Sequence, residues 1–333
     1  MMGTHRLGNN GPAVSTIGLG CMGMSDFYGP TDRTESIATI HAALDSGLTL
    51  LDTGDFYGMG HNELLLREAL QAKAREKIQL SVKFGALRDP TGAWLGYDAR
   101  PAAIKNFLTY TLQRLGTDYI DIYRPARLDP QVPIEDTIGA IAQLVSAGYV
   151  RYIGLSEVGV DTIRRAQAVH SICDLQIEYS LLSRGIEKAI LPACRSLGIS
   201  ITAYGVLSRG LISGHWSKDR LRTPDFRSHS PRFQGTNLDI NLNLVDNLRA
   251  AADQLGLTVA QAAIAWVRAQ GDDIVPLIGA RRRDRLTEAL GATDIALTAA
   301  QLSALTEAVP KDAAAGARYP VQAMAHLDSE LDR

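Results

Sequence analysis

Short apolar runs alternate with longer amphipathic stretches along almost the whole chain. The apolar runs are rich in aliphatic and β-branched residues and are bounded by glycine and polar residues, which predicts buried strands. The stretches between them place apolar residues at helical spacing, which predicts amphipathic helices. The predicted strands are 16–20, 48–52, 78–83, 119–123, 152–155, 175–178, 200–204 and 274–278.

A helix is predicted after each of these strands, which makes eight strand-then-helix units. Eight such units at close spacing predict an α/β fold of the (β/α)8, or TIM, barrel type rather than an open sheet. No shift of composition divides the chain, so we predict one domain over residues 1–333. The predicted helices are 33–46, 63–70, 101–115, 134–146, 160–170, 186–197, 242–255 with 259–269, and 282–290.

Several segments lie outside the eightfold pattern. Residues 6–16 hold two short segments around turn residues and predict an N-terminal β-hairpin ahead of the barrel. The long loops 84–99 and 207–241 follow strand ends, so we expect them at the C-terminal face of the barrel as pocket walls or lids. A last helix, 299–308, and a polar C-terminal tail, 311–333, follow the barrel. Surface loops without a role are the alternative for the loops and the tail.

Composition excludes several classes of function. The chain has 333 residues and a formal net charge of −2, so nothing indicates binding to nucleic acid or to an anionic membrane. Its three cysteines are widely spaced and make neither a disulfide framework nor a metal site, which is typical of a reduced, cytoplasmic protein. The N-terminus does not resemble a signal peptide, and no apolar run approaches the roughly 18 residues of a membrane helix.

Three polar side chains are predicted to meet at the carboxyl ends of two neighbouring strands. Asp52 ends one strand, Lys83 ends the next, and Tyr57 lies in the glycine-punctuated loop after Asp52. In barrels of parallel strands this end carries the chemistry. A nearby ammonium lowers the pKa of a tyrosine, so Lys83, held by Asp52, would make Tyr57 a proton donor to a developing alkoxide. Taken singly, the alternatives are a cap for Asp52, a solvated strand end for Lys83 and packing for Tyr57.

A glycine pattern at residues 18–23 imitates a dinucleotide-binding fingerprint. It fits G-x-G-x-x-G after a strand, but a loop follows it instead of a helix. The acid of the next strand, Asp52, also comes too late for the fingerprint. We therefore interpret Gly20 to Gly23 as positions where the backbone can approach a ligand at the barrel mouth.

The motifs around these residues resemble those of the aldo-keto reductases. The resemblance covers about residues 7–309 and is closest to the pyridoxal-reductase-like and potassium-channel-β-like branch. It rests on segments near the strand ends, namely 18–24, 51–58, 81–85, 119–123, 153–157, 176–181, 202–207, 278–281 and 285–288.

The resemblance implies a (β/α)8 barrel that binds NADP(H) in an extended pose at the carboxyl ends of its strands. Hydride would pass between the nicotinamide and a small-molecule carbonyl or alcohol, with Tyr57 as proton donor and Lys83 and Asp52 as its catalytic partners. The residues it places at the cofactor are Gly20, Met22, Asp52, Ser156, Gln176, Tyr204, Gly205, Leu207, Ser208, Gly210, Gly279, Arg281, Arg285 and Glu288.

The same resemblance assigns roles within the cofactor set. Ser156 and Gln176 would hold the carboxamide, and Tyr204 would stack on the nicotinamide ring. Arg281 and Arg285 would bind the adenosine 2′-phosphate, which agrees with the chemistry of arginines at the start of a helix. A solvated helix face is the alternative for this arginine cluster.

The chain departs from the family pattern at the position of the substrate carbonyl. Ala126 stands where the family usually has a histidine that orients the carbonyl. Arg124 or Arg127 could substitute as a cation, although each could instead pair with a neighbouring aspartate, Asp121 or Asp129. The predicted substrate-pocket residues are Trp94, Arg124, Ala126 and Arg127.

Two cofactor positions also depart from the family pattern. Glu157 and Ala289 both stand where asparagine is frequent, so one adenine contact is missing from the expected set. With the change at Ala126, two functions stay open. The first is an NADP(H)-dependent reductase of aldehydes or ketones, and the second is an NADPH-binding sensor or partner module with weak or no turnover.

Overall fold

The strands form one barrel and two small antiparallel pairs. The computed structural model describes residues 2–222 and 225–330. The strands described are β1 (Thr4–Arg6), β2 (Ala13–Ser15), β3 (Gly18–Gly20), β4 (Leu50–Gly54), β5 (Gln79–Phe84), β6 (Ala86–Arg88), β7 (Trp94–Tyr97), β8 (Ile120–Pro125), β9 (Val150–Ser156), β10 (Ile172–Glu178), β11 (Ser200–Tyr204) and β12 (Ile274–Gly279).

The predicted (β/α)8 barrel is confirmed. Within the described residues, eight parallel strands lie in the order β3-β4-β5-β8-β9-β10-β11-β12, and β12 pairs with β3 to close the barrel. Every residue of β4, β8 and β10 is buried, because helices cover the outside while side chains fill the inside. Burial on both faces also encloses the polar residues of these strands, so Asp52, Arg124 and Asp174 are paired inside the protein.

The helices follow the strands as predicted. Those over 101–115, 134–146 and 299–308 have the predicted bounds, and the other predicted helices are shifted at one or both ends. The helices described are α1 (Arg33–Asp45), α2 (His61–Leu70), α3 (Pro101–Leu115), α4 (Ile134–Ser146), α5 (Val160–Val169), α6 (Ile190–Leu197), α7 (Gly235–Gln254), α8 (Val259–Arg268), α9 (Arg283–Leu290), α10 (Ala299–Ala308) and α11 (Val321–Met324). In the described chain, none of them combines the length and apolar character that a membrane crossing requires.

The start of α7 was predicted wrongly. The helix begins at Gly235, seven residues before the predicted start at 242. Leu238 continues the buried stripe of the helix by more than one turn towards its N-terminus. Asn241 also faces inwards, where its amide donates to the carbonyls of Arg232, 3.0 Å away, and Ala315, 2.9 Å away. A buried asparagine with tertiary partners interrupts the apolar pattern, so the sequence pattern did not show this part of the helix.

The predicted N-terminal hairpin is present as the antiparallel pair β1–β2. It closes the amino end of the barrel, where Leu7 and Val14 pack with Leu50 and other inward-facing barrel residues. Gly8 has φ +58°, and a Cβ there would lie 2.5 Å from the carbonyl oxygen of Cys173. Glycine is therefore required for this close approach of the hairpin to the barrel.

Three segments cover the opposite, carboxyl end of the strands. The loop 84–99 contains the hairpin β6–β7, and residues 208–222 and 226–233 form a series of 3₁₀ turns before α7. The C-terminal segment, residues 311–330, folds back over the same face and buries Arg318. The alternative of a surface tail without contacts is therefore wrong for the described part of the tail.

Candidate active site

A buried carboxylate organises the bottom of the site. Asp52 on β4 accepts from Lys83 Nζ on β5 and from Ser81 Oγ at 2.8 Å. Gln176 on β10, across the barrel, donates its amide to the same carboxylate at 2.7 Å. All four residues are at most 4 % exposed. The structure thus brings Asp52 and Lys83 together as predicted, with the charge of Asp52 fully satisfied by its partners.

Tyr57 lies above this pair on a tight turn between β4 and α2. Its ring centroid is 5.2 Å from Lys83 Nζ, and the Phe56 ring packs against it edge-on at 4.8 Å. Gly58 and Met59, the next residues, have φ of +55° and +53°, which folds the chain back sharply. Left-handed backbone at a non-glycine residue such as Met59 is strained and is frequent at functional sites. Local geometry therefore holds the phenol over the ion pair.

The net shift of the Tyr57 pKa is upward, opposite to the lowering expected from Lys83. Burial raises the pKa of Tyr57 well above its ordinary value, Asp52 raises it further, and the charge of Arg127 opposes both. Burial also lowers the pKa of Lys83, against the attraction of Asp52. Because Asp52 neutralises the ammonium, Lys83 does not act as an isolated positive charge. Tyr57 is thus held in its protonated form, which is the form that donates a proton.

Arg124 is not a pocket residue, and this prediction is corrected. Its side chain is fully buried inside the barrel and pairs with Asp174 at 2.9 Å, not with Asp121 or Asp129. It also donates to Ser81 Oγ at 3.0 Å, which links it to the carboxylate network below Tyr57. The role of Arg124 is therefore to hold the barrel interior together.

Ala126 and Arg127 follow directly after β8. The Ala126 amide donates to the carbonyl of Phe84 at 2.8 Å, and its methyl group is buried. Arg127 is half-buried and donates through Nη1 to the Ala126 carbonyl at 2.6 Å and to Ser156 Oγ at 3.5 Å. Of the two candidate arginines, only Arg127 lies at the mouth.

Glu157 anchors the C-terminal segment instead of facing a ligand. It has φ +53° and no exposed surface. Its carboxylate pairs with Arg318 at 2.8 Å, and it accepts from Tyr204 at 2.6 Å and Ser329 at 2.7 Å. The pKa of Glu157 is lowered although burial raises it, because Arg318 and these hydrogen bonds stabilise the carboxylate. A group so fully occupied is not free to take over the role of the family asparagine.

The sequence pattern did not predict the other members of this ionic network. Arg318 also pairs with Glu178 at 3.1 Å, and Arg209 and Arg232 approach the same carboxylate, each at 3.6 Å. We call Glu157, Glu178 and Arg318, with the groups around them, the tail clamp. Acidic residues at the ends of two buried strands were the available signal, because such charges require partners.

The predicted nicotinamide residues lie at neighbouring strand ends. Ser156 ends β9, Gln176 is near the end of β10 and Tyr204 ends β11. Gln176 uses its amide nitrogen on Asp52, so its carbonyl oxygen is the atom that can accept from a carboxamide. The Tyr204 hydroxyl lies 2.9 Å from that of Tyr319 in the C-terminal segment, which places the segment beside this position.

Two loops supply the remaining positions of the predicted cofactor set. Gly20 ends β3, and Met22 starts a short 3₁₀ turn after it. After β11, Gly205, Ser208 and Gly210 all have positive φ, and Leu207 lies between them. Ser208 also contacts Ser180 through its hydroxyl at 3.1 Å. These loops lie at the ends of β3 and β11, on either side of β12, so they flank the arginines that follow β12.

Arginines converge beyond the end of β12 at Gly279. Among the described residues, Arg281 donates only to main-chain carbonyls, one of them Tyr28 at 3.0 Å. Burial lowers the pKa of Arg281, and the charges of Arg227 and Arg220 lower it further. Such mutual repulsion is relieved by an anion. Arg285 contacts Glu288 at 3.4 Å and also His215, so it is partly compensated.

The remaining predicted pocket residue lies at the rim. Trp94 on β7 is 48 % exposed and stacks on Phe27 at 6.2 Å, with Arg88 over its ring. Trp94 thus belongs to an aromatic rim above Tyr57, to which Phe27 also contributes.

No group of three or more metal-ligating side chains occurs among the described residues.

Comparison with known proteins finds a family that matches most of the chain. The model of the Aldo/keto reductase family matches residues 16–310. A probable aldo-keto reductase 1 from Glycine max is 41 % identical over 315 residues, covering 94 % of this chain and 91 % of that protein.

Solved structures give the same result. The glycerol dehydrogenase AKR11B4 from Gluconobacter oxydans superposes with a TM-score of 0.83 at 28 % identity, covering 96 % of this chain and 97 % of that one. The aldo-keto reductase AKR11C1 from Bacillus halodurans, in its holo form, gives 0.75 at 27 % identity, covering 93 % and 97 %. A thermostable aldo-keto reductase, Tm1743, in complex with the inhibitor epalrestat gives 0.74 at 27 % identity, covering 92 % and 100 %.

Proposed function

Because the chain belongs to the aldo/keto reductase family, which reduces carbonyls with nicotinamide cofactors, we propose that it is an NADP(H)-dependent reductase of aldehydes or ketones. The observation that carries the proposal is the arrangement below Tyr57. A buried Asp52–Lys83 pair, tied across the barrel by Gln176, lies under a protonated phenol at the carboxyl ends of the strands.

The residues around this centre fit a nicotinamide cofactor. Ser156 and the carbonyl oxygen of Gln176 offer one donor and one acceptor to a carboxamide, and Tyr204 offers a ring at the next strand end. When bound, the cofactor would supply or accept the hydride. Glu157 is occupied by the tail clamp, so we assign it no cofactor contact.

The arginines after β12 support the proposed preference for NADP(H) over NAD(H). Arg281 has no carboxylate within ion-pair distance among the described residues, and its neighbours Arg227 and Arg220 repel it. A 2′-phosphate would supply the missing negative charge through charge-assisted hydrogen bonds. Arg285 and Glu288 lie beside it and complete the proposed adenosine site.

In the proposed reduction, Tyr57 donates a proton to the carbonyl oxygen as negative charge develops there. Asp52 neutralises the charge of Lys83 beneath the phenol before the reaction. Ala126 offers no second donor, and loss of one oxyanion donor typically costs about 10²–10³-fold in rate. We therefore expect slow reduction of generic aldehydes with tight NADPH binding.

A single-turnover experiment tests the proposal. The protein is loaded with stoichiometric NADPH and mixed with a panel of aldehydes while cofactor absorbance is followed, and NADPH and NADH affinities are measured separately by fluorescence. Oxidation of NADPH by at least one aldehyde, with NADPH bound more tightly than NADH, is the expected result. Tight binding without oxidation by any aldehyde would support the sensor or partner module instead.

A further inference from the structure

Arg127 is the exception among the buried and half-buried cations near the catalytic centre. Lys83 is paired with Asp52, Arg124 with Asp174, and Arg318 with Glu157 and Glu178. In the described parts of the chain, no carboxylate lies within 4 Å of the Arg127 guanidinium. Arg127 is therefore a positive charge without an ion-pair partner at that distance. The Glu157 carboxylate, which is paired with Arg318, acts on it only from farther away.

The position of Arg127 is set by the ends of two strands. It lies two residues after β8, and its Nη1 atom reaches the Ala126 carbonyl at 2.6 Å and Ser156 Oγ, at the end of β9, at 3.5 Å. An arginine side chain has five N–H donors in a planar fork. These two contacts, of which one is long, leave most of the fork free.

The groups around Arg127 are mainly tyrosines. Its charge acts on Tyr57, Tyr97 and Tyr204, which burial keeps protonated, so these rings do not neutralise it. The pKa of Arg127 is raised although burial lowers it, because Tyr204 and other negative or ionisable groups favour the cation. The cleft thus combines an aromatic wall, a proton donor and a permanently charged guanidinium.

The alternative role, a donor to the carbonyl oxygen in place of the missing histidine, fits the geometry less well. Ala126 occupies the histidine position itself, and Arg127 already uses Nη1 on the Ala126 main-chain carbonyl and towards Ser156 Oγ. A planar fork of donors suits a carboxylate, which it can bind through two parallel hydrogen bonds. A carbonyl oxygen beside Tyr57 would use only one of these donors.

We propose that Arg127 binds an anionic group of the substrate, and that the natural substrates are carbonyl compounds that carry a carboxylate. This inference rests on the proposed function and names its substrate class. Binding energy from a group remote from the reacting carbon can be used to position the carbonyl under Tyr57. Binding of the anionic group would compensate for the donor missing at Ala126. It also agrees with the slow turnover that we expect for generic aldehydes, which lack such a group.

The test compares two substrates that differ in charge and little in shape. 4-Carboxybenzaldehyde and methyl 4-formylbenzoate are reduced with NADPH by the wild type, Arg127→Gln and Arg127→Lys. A charge-assisted hydrogen bond is worth roughly 1.5–3 kcal/mol, which is about 10–100-fold. We expect Arg127→Gln to lower kcat/KM for the acid by that factor and for the ester by less than about 3-fold, and Arg127→Lys to restore part of the difference.

Arg88→Gln is the matched control, because Arg88 is a cation of the same mouth that already pairs with Asp26 at 3.1 Å. It should leave the acid-to-ester ratio unchanged. If Arg127→Gln does not fold, competition in the wild type replaces it. Benzoate should then inhibit reduction of the ester at least about 10-fold more strongly than benzamide.

Three outcomes would overturn the inference. Equal losses for acid and ester in Arg127→Gln would place Arg127 on the carbonyl oxygen. Weaker NADPH binding in the same variant would place it on the cofactor. Unchanged kcat/KM values for both compounds in Arg127→Gln would remove any role for its charge. Failure of the wild type to oxidise NADPH with either compound or with the aldehyde panel would instead contradict the proposed function itself.

Discussion

The catalytic centre and the tail clamp are both buried ionic clusters on the same face of the barrel. Asp52 and Lys83 are each 4 % exposed, and Glu157 and Arg318 are 0 % and 2 % exposed. In the clamp, the carboxylates are surrounded by arginines and hydroxyls from three segments of the chain. In the centre, the pair is balanced one to one, and an uncharged phenol lies above it.

The two clusters differ in role: the clamp fixes a segment of the chain, and the centre leaves groups free to react. Every charge of the clamp has a partner, so the cluster fixes the C-terminal segment and leaves no group for a ligand. The centre leaves two groups at its surface, the Tyr57 phenol and the Arg127 guanidinium, without an ionic partner in the described residues. The fully paired charges of the clamp therefore have a structural role at the side of the cleft, whereas Tyr57 and Arg127 face its interior.

The largest expected effect is on turnover when the centre is changed. Tyr57→Phe keeps the ring and its packing but removes the proton donor, so activity should fall by about 10²–10⁴-fold while NADPH binding is retained. Steady-state rates and fluorescence titration measure the two quantities. A variant that kept most of its activity would exclude Tyr57 as the acid.

The next effect is on stability when the clamp is changed. Arg318→Ala leaves Glu157 and Glu178 short of their main buried partner, and breaking a buried pair in this way typically costs about 3–5 kcal/mol. The free energy of unfolding is read from a urea titration. Arg249→Ala is the control, because its exposed pair with Asp246 should contribute less than about 1 kcal/mol. Similar losses in both variants would contradict the clamp.

The comparison also predicts which arginine selects the cofactor. Arg281→Ala should weaken NADPH binding by roughly 1.5–3 kcal/mol and NADH binding much less, because Arg281 has no carboxylate partner in the described chain. Arg282→Ala is the matched control, since Arg282 is 65 % exposed and pairs with Asp284 at 2.8 Å. Equal losses for NADPH and NADH in Arg281→Ala would exclude a phosphate role.

The smallest effect concerns Asp55, which lies behind the centre. Burial, and next the charge of Glu63, raise its pKa to about 8, whereas the pKa of Glu157 is lowered. Because the folded state holds its proton more tightly than the unfolded state, the stability due to Asp55 is complete below about pH 4 and is lost as the pH rises to about 8. Asp55→Asn should remove this loss.

Thermal unfolding at several pH values measures this effect. The Asn variant should gain relative to the wild type between pH 5 and 9, within the usual range of about 0.5–3 kcal/mol for single substitutions. Glu76→Gln, at an exposed glutamate, should show no such gain. A difference between wild type and Asp55→Asn that does not change with pH would show that Asp55 is not protonated in the folded state.

Local pattern predicted the barrel and the core of the centre. The strands that carry Asp52 and Lys83 were correctly identified, because their aliphatic residues mark buried strands. They end at Gly54 and Phe84, two residues and one residue later than predicted. Parallel neighbours then bring their carboxyl ends together, so proximity in the fold followed from order in the chain. The start of α7 failed for the opposite reason, since Asn241 is buried by partners that are distant in sequence.

The sequence by itself determined the eightfold alternation, the closed barrel and the meeting of Asp52, Lys83 and Tyr57, because each depends on local periodicity and on neighbouring strands. The tertiary structure decided the partner of each remaining charge. Arg124 pairs with Asp174 and Arg318 with Glu157, across about 50 and 160 residues respectively. The packing of the whole face decides which charges are neutralised and which one stays open to a ligand. Spacing along the chain does not predict this pairing, because the partners are distant in sequence.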